Sequence, residues 1–270
     1  MSDNTQNFND ILKSLTDISN TFSLSVYIPS LKKNVEFKEL NTKQQKDLLE
    51  TVTDTSIYKS KFTQNFLKII KENLITEGVE VEKLTIYDKV YIGLFLRSKI
   101  SNNLNVVFNE NPVYSESVEL QPIIDNSLKY NHPSTESINI VKDGVSINVE
   151  VLIPTITLES KYELELSKTY KKIDDVKNVN DMGTLLSDAF IGEVSKFISK
   201  IAFDDKVISL EGLTINQRIK LTELLTADLT QKVLQKIADW KTELDSFLTV
   251  SSKNGEYKKT LTLDNLLFLM

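Results

Sequence analysis

Residues 197–250 read FISKIAFDDKVISLEGLTINQRIKLTELLTADLTQKVLQKIADWKTELDSFLTV, and this stretch decides the fold class. Asp204-Asp205 is expected in a turn between apolar segments, because Asp hydrogen-bonds its own backbone there. Thr214 followed by Gln217 forms a capping box that opens a helix. Beyond it, Leu229, Val233, Ile237, Trp240, Leu244 and Phe247 recur at steps of three and four. That stripe predicts one long helix whose apolar side faces the core or, alternatively, a partner. A further helix is expected upstream, around Leu185 to Ile201. Asn254-Gly255 marks a hairpin, and Leu261 to Met270 ends the sequence on apolar residues. An apolar end docks on its own domain or on a neighbour, which makes Leu266, Leu267, Phe268 and Leu269 the candidate partner-binding residues.

Working outward, the first hundred residues read as a hairpin followed by helices. Asn9 to Phe22 fits a short amphipathic helix through Ile11, Leu12, Leu15 and Ile18. Leu24, Val26 and Ile28 then alternate along one side of a strand, and Val35 with Phe37 alternates again after a loop. Thr42 and Gln45 suggest a capping box before Leu48, Leu49 and Val52. Phe62, Phe66, Ile69, Ile70 and Leu74 repeat at helical spacing, with Gly78 as the expected stop. Thr85 and Asp88 open the next helix, whose residues Ile86 to Leu96 are apolar on nearly every side. Such a helix is buried, and this one is too short to span a bilayer. Arg97 closes it, where a cation suits the negative end of the helix dipole.

The pattern changes between Asn103 and Lys172, where Val, Ile and Thr crowd together and four of the five prolines fall. Asp143-Gly144 is a type I′ turn signal. It sets Ile140 opposite Ile147 and Ile138 opposite Val149, with Asn139 facing Asn148 on the other side. Tyr170 to Asn180 is charged and reads as a linker. The expected architecture is therefore α+β: residues 1–102 a hairpin plus helices, 103–178 a β-rich segment and linker, 179–270 a helical region ending in a hairpin and apolar tail.

Composition narrows the functional classes. With no cysteine there is no disulfide, thiolate nucleophile or cysteine metal site, and a single histidine leaves little for zinc. Only two arginines, Arg97 and Arg218, accompany a net charge of -6, which argues against nucleic-acid binding. The seven glycines are scattered singly, so no phosphate-cradling loop is expected. His132 sits in an Asn-His-Pro turn and is expected to be an exposed loop residue rather than a general base. Asp174-Asp175 belongs to the charged linker. No catalytic residue, metal site or cofactor is expected. The polar, acidic N-terminus is neither a secretory signal nor a transit peptide, and no apolar run is long enough for a membrane span.

Three runs carry a family resemblance: VYIPSLKKNVEFKELNTKQQKDLLE (residues 26–50), LTIYDKVYIGLFLRSKI (84–100) and FISKIAFDDKVISLEGLTINQRIKLTELLTADLTQKVLQKI (197–237). Together they resemble the baseplate hub and hub-assembly proteins of T-even-like contractile-tailed bacteriophages. The resemblance covers the two ends and not the middle segment. It implies a non-enzymatic structural subunit of the tail baseplate hub, made in the host cytoplasm and built into the virion. Its implied partners are other hub or tail tube proteins, with neither nucleic acid nor membrane. The alternative within the same family is an assembly chaperone absent from the finished virion. A reading of another class, an enzyme or small-ligand binder using acidic residues, finds no constellation to support it.

Overall fold

The computed structural model describes residues 10–11, 13–14, 22–52, 60–142, 144–168, 170–171, 173–263 and 266. Among these are eight α-helices and ten strands in small sheets, a mixed α+β fold as the sequence predicts. The expected helix at Asn9 to Phe22 lies mostly outside the described residues.

Strands β1 (Ser23–Ile28) and β2 (Lys33–Lys38) form an antiparallel hairpin that sets Val26 opposite Val35 and Leu24 opposite Phe37. All four side chains are buried, because residues two apart share one face. Helix α1 (Thr42–Val52) follows. Its capping box lies one residue earlier than expected: the Gln44 amide donates to Asn41 Oδ1 and the Asn41 amide to Gln44 Oε1. Asn is at least as good a cap as Thr, so the better acceptor takes the position. Helix α2 (Ser60–Asn73) buries Phe62, Phe66, Ile69 and Ile70. It stops before Gly78, contrary to expectation. Leu74 bridges Phe37 and the Ile75 amide bonds to Glu36 O, so the chain leaves the helix to join the β2 edge.

Helix α3 (Ile86–Ile100) is the axis of the molecule. Thr85 and Asp88 open it as expected, and they do so as a capping box. Tyr87, Tyr91 and Leu94 enter one core, while Ile92 and Leu96 enter a second core with the β1–β2 hairpin, α1 and α2. Arg97 is buried in its last turn.

The middle segment is less β-rich than expected. Hairpins β3 (Asn103–Glu110)–β4 (Val113–Glu119) and β5 (Glu136–Lys142)–β6 (Val145–Val151) are separated by the short helix α4 (Gln121–Ser127). The β5–β6 register is the predicted one, with Ile140 opposite Ile147 and Ile138 opposite Val149. Helix α5 (Ile156–Leu166) then begins inside the segment, capped by Thr155. Its start is tied to the start of α3: the Ile86 amide bonds to Pro154 O and the Ile156 amide to Leu84 O.

The expected break near residue 178 does not divide the sheet. Helix α6 (Val179–Phe197) starts earlier than predicted and gives way at Ile198 to strand β7 (Ile198–Phe203). Strand β7 pairs with β6, and β8 (Lys206–Ser209) completes a four-stranded antiparallel sheet in the order β5-β6-β7-β8. Residues 198–201, expected at the end of a helix, are therefore a strand. Asp204 occupies the predicted turn with φ 47°, a conformation Asp tolerates better than most residues.

Helix α7 (Ile215–Glu223) carries the predicted Thr214–Gln217 capping box. Helix α8 (Ala227–Leu248) turns Leu229, Val233, Trp240 and Leu244 into the first core, so the stripe is core. The hairpin of β9 (Thr249–Ser251) and β10 (Lys258–Thr260) reverses through Gly255 with φ 74°. Its loop lies against β4, where the Lys253 amide bonds to Glu116.

After β10 the chain returns to α3. Leu263 joins the second core and Leu266 the first. Leu263 fits because residue 93 is glycine: a Cβ there would stand 2.2 Å from Leu263 Cδ1. Gly93→Ala should therefore destabilise the fold by about 1–3 kcal/mol through overpacking. In a Leu263→Ala background the same change should be neutral or stabilising, because Ala exceeds Gly in helix propensity by about 1 kcal/mol. Chemical denaturation of the four proteins of this cycle measures the coupling. Equal effects in both backgrounds would contradict the contact.

Candidate functional site

Leu266, one of the four candidate partner-binding residues, is fully buried in the protein's own core. This side chain is docked internally, and the expectation that it offers itself to a partner is corrected for this residue. Leu267, Phe268 and Leu269 lie outside the described residues.

The start of α3 gathers polar groups from three parts of the sequence. Asp88 is buried, and its carboxylate accepts from the Ser30 amide (3.1 Å), Ser30 Oγ (2.6 Å), the Thr85 amide (2.7 Å) and Thr85 Oγ1 (2.8 Å). Thr85 Oγ1 also lies 3.2 Å from His132 Nε2, and His132 Nδ1 lies 2.9 Å from Pro133 O. The imidazole packs edge-on to the rings of Tyr87 and Tyr130. His132 is thus half-buried, not the exposed loop residue expected. The Asn131–Pro133 turn folds back over the capped helix start, a placement that local turn chemistry does not specify. A polar hollow of about 370 Å³ opens beside it, lined by Lys32, Glu136, Lys236 and Glu243 among others. Lys236 there pairs with Glu136 and lies over the Trp240 ring.

A second polar centre surrounds Arg218, which is buried. Its Nε donates to Tyr162 Oη (3.0 Å), Nη1 to Leu210 O (3.1 Å), and Nη2 to Ile198 O (2.8 Å) and Ser195 O (3.4 Å). These carbonyls end α6 and flank β7 and β8, so a cation sits at the negative end of a helix dipole. One guanidinium joins α5, α6, α7 and the sheet. It lines a cleft of about 620 Å³ with Lys161, Lys196, Lys200, Glu82, Glu150 and Glu211. Lys200 pairs with Glu150 and Lys196 with Glu193, which leaves a cleft of mixed charge with Arg218 engaged in structure.

Close by, Lys89 and Glu159 form a mostly buried ion pair, and Glu163 lies one helical turn further along α5. Asp204-Asp205 form the β7–β8 turn, where Asp204 Oδ1 accepts weakly from the Ser146 amide. Among the described residues no helix is long and apolar enough to cross a membrane.

The exposed surface is more informative than either hollow. Strand β8 ends the four-stranded sheet, and among the described residues no strand pairs with its outer side. Its Val207 and Ile208 are both exposed, as is Phe203 opposite Lys206. Adjacent strand residues point to opposite faces, so both faces of the sheet are uncovered at this edge. The sequence predicts a short turn-bounded strand here, beside the Asp204-Asp205 turn; its exposure follows from which strands pair. Comparison with protein-family models, curated proteins and solved structures gives no match.

Two half-buried groups titrate with opposite sign. Burial pushes His132 below its ordinary 6.5, with Asp88 and the Pro133 carbonyl opposing and Lys32 adding to the depression. The unfolded chain takes up a proton that the folded one refuses, so this contribution is present above 6.5 and is lost as pH falls. Burial, then the charge of Glu159, push Glu163 from 4.5 up to about 7, against Lys89, Thr63 and Lys196. Here the folded chain holds a proton that the unfolded one releases, so stability is lost as pH rises from 4.5 through 7. Between about pH 5 and 7, Glu163→Gln should leave stability rising with pH and His132→Gln should leave it falling. Each slope should be at most about 1.4 kcal/mol per pH unit, read from urea titrations. Parallel profiles for the two variants would refute the assignment.

Arg218→Met removes four buried hydrogen bonds at once, to Tyr162 Oη and to the carbonyls of Leu210, Ser195 and Ile198, and should cost about 3 kcal/mol or more. Arg218→Lys cannot reproduce the planar fork and should recover less than half of that loss. A loss under about 1 kcal/mol for Arg218→Met in denaturant titrations would exclude this structural role.

Proposed function

We propose that the protein is a non-enzymatic structural subunit of a contractile-tailed phage baseplate hub, working through contacts with other hub or tail tube proteins. The reading rests first on the three runs that resemble that family. In space they are β1, β2 and α1, then α3, then β7, β8, α7 and α8. They contribute residues to both cores and supply the helix that the cores share.

The observation that carries the reading is the open β8 edge. A free edge with apolar side chains on both faces is an aggregation hazard that isolated proteins usually blunt. In an assembly the same edge is a docking strand: a neighbour's strand continues the ladder and its side chains cover Phe203, Val207 and Ile208. The apolar tail does not serve this purpose at Leu266, which is used internally.

In infected cells, the protein should co-sediment with purified tails and appear in mass spectra of finished virions. Val207→Lys combined with Ile208→Lys should leave circular dichroism and melting temperature unchanged, yet remove the protein from tails. Presence in assembly intermediates with absence from virions would favour the hub-assembly chaperone instead. Normal incorporation of the double variant would reject the β8 edge as the contact.

A further inference from the structure

Helix α6 presents a second uncovered apolar face. Val179 is 86% exposed, Met182 38%, Leu186 62% and Phe190 45%. Their spacing of three and four residues places them on one side of the helix, over three turns. The adjoining side is committed to the fold through Leu185, Gly192 and Lys196, and beyond Phe190 the helix is buried at Val194 and Phe197. Four large apolar side chains at helical spacing are a stripe rather than the scattered exposure ordinary for a surface.

Gly183 lies in the middle of this stripe. An exposed glycine within a helix is less favourable than alanine. Nothing inside the chain requires it, since a Cβ at residue 183 would meet no atom within 4 Å. The other two helical glycines differ. Gly93 makes room for Leu263, and a Cβ at Gly192 would stand 2.9 Å from Leu166 Cδ1. Gly183 leaves a notch in the stripe that faces solvent.

We infer that α6 is a self-association surface on which a second copy of this chain docks its own α6 in antiparallel orientation about a twofold axis. The stripe is self-complementary in that arrangement. Phe190 of one copy falls opposite Val179 of the other, and Leu186 falls opposite Gly183. Phe190 and Leu186 thus each meet a smaller residue, and the symmetry repeats both pairs. Charge selects the same orientation. Lys177 immediately precedes the helix and Glu193 lies at the far end of the exposed face, both exposed. Antiparallel docking brings each Glu193 to its partner's Lys177 end, whereas parallel docking sets like charges together. Antiparallel helix dipoles also favour it. Isologous twofold dimers are the commonest symmetric assembly. The inference is independent of the baseplate reading.

Sedimentation equilibrium on the purified full chain, from about 1 to 100 μM, tests it across the range where weak dimers form. The expected species has twice the chain mass of 30.8 kDa. Leu186→Lys alters an exposed position and should leave the melting temperature within a degree or two of the parent, while Gly183→Leu, which replaces a helix glycine, should not lower it. Each should weaken association by about thirty-fold or more, as expected for a central interface position. Orientation is read by oxidative cross-linking, which the absence of native cysteine makes clean. A mixture of Val179→Cys and Phe190→Cys chains should cross-link, while neither should do so alone. A monomer throughout the range overturns the inference and leaves the stripe to a different protein. A dimer insensitive to both substitutions overturns it as well. Cross-linking of Phe190→Cys with itself rejects the antiparallel arrangement.

Discussion

Helix α3 has apolar residues on nearly every side, and the polar groups it does carry are confined to its two ends, so both flanks must be covered by other parts of the chain. The β1–β2 hairpin with α1 and α2 covers one flank, and the four-stranded sheet with α8 covers the other. Neither layer has a substitute for this helix. Its start is fixed by Asp88, which satisfies two donors of its own cap and two of Ser30, and by backbone bonds to the start of α5. Its middle is fixed by the close approach of Leu263 to Gly93. The last elements of the chain therefore close a core whose first elements are some two hundred residues away.

Burying polar groups is unfavourable unless each finds a partner, and the interior shows how this is managed. Arg218 uses its guanidinium on carbonyl groups and a phenol rather than on a carboxylate, with helix-end dipoles in place of a counter-ion. Lys89 and Glu159 are paired near Glu163, which is displaced toward its neutral form. His132 is displaced the same way in charge terms, toward the neutral imidazole. These groups hold elements from distant parts of the sequence in register, and their placement is structural.

The outer surface is organised differently. The open β8 edge and the α6 stripe lie on elements whose inner faces are fixed by the Arg218 centre and by the sheet. Apolar side chains presented on rigid elements bind with little ordering cost, because their conformations are already restricted by the fold. That arrangement suits a component of a larger assembly, in line with the function proposed from the family resemblance.

Local chemistry determined what the sequence disclosed by itself. The capping boxes at Thr85–Asp88 and Thr214–Gln217, the Asp143-Gly144 register, the Asp204 turn and the α8 stripe depend on residues a few positions apart. Each was legible for that reason. Residues 198–201 were not, since Ile198 and Ile201 fit a helical period as well as a strand. Pairing with β6 and the Arg218 bond to Ile198 O settle that segment as β7. Helix α5 hid within a segment rich in β-branched residues, although Thr155 could have signalled its start. The burial of His132, the service of Gly93 to Leu263, and the exposure of β8 and α6 were decided by tertiary structure alone. Each depends on which distant element arrives at that place, and no local propensity carries that information.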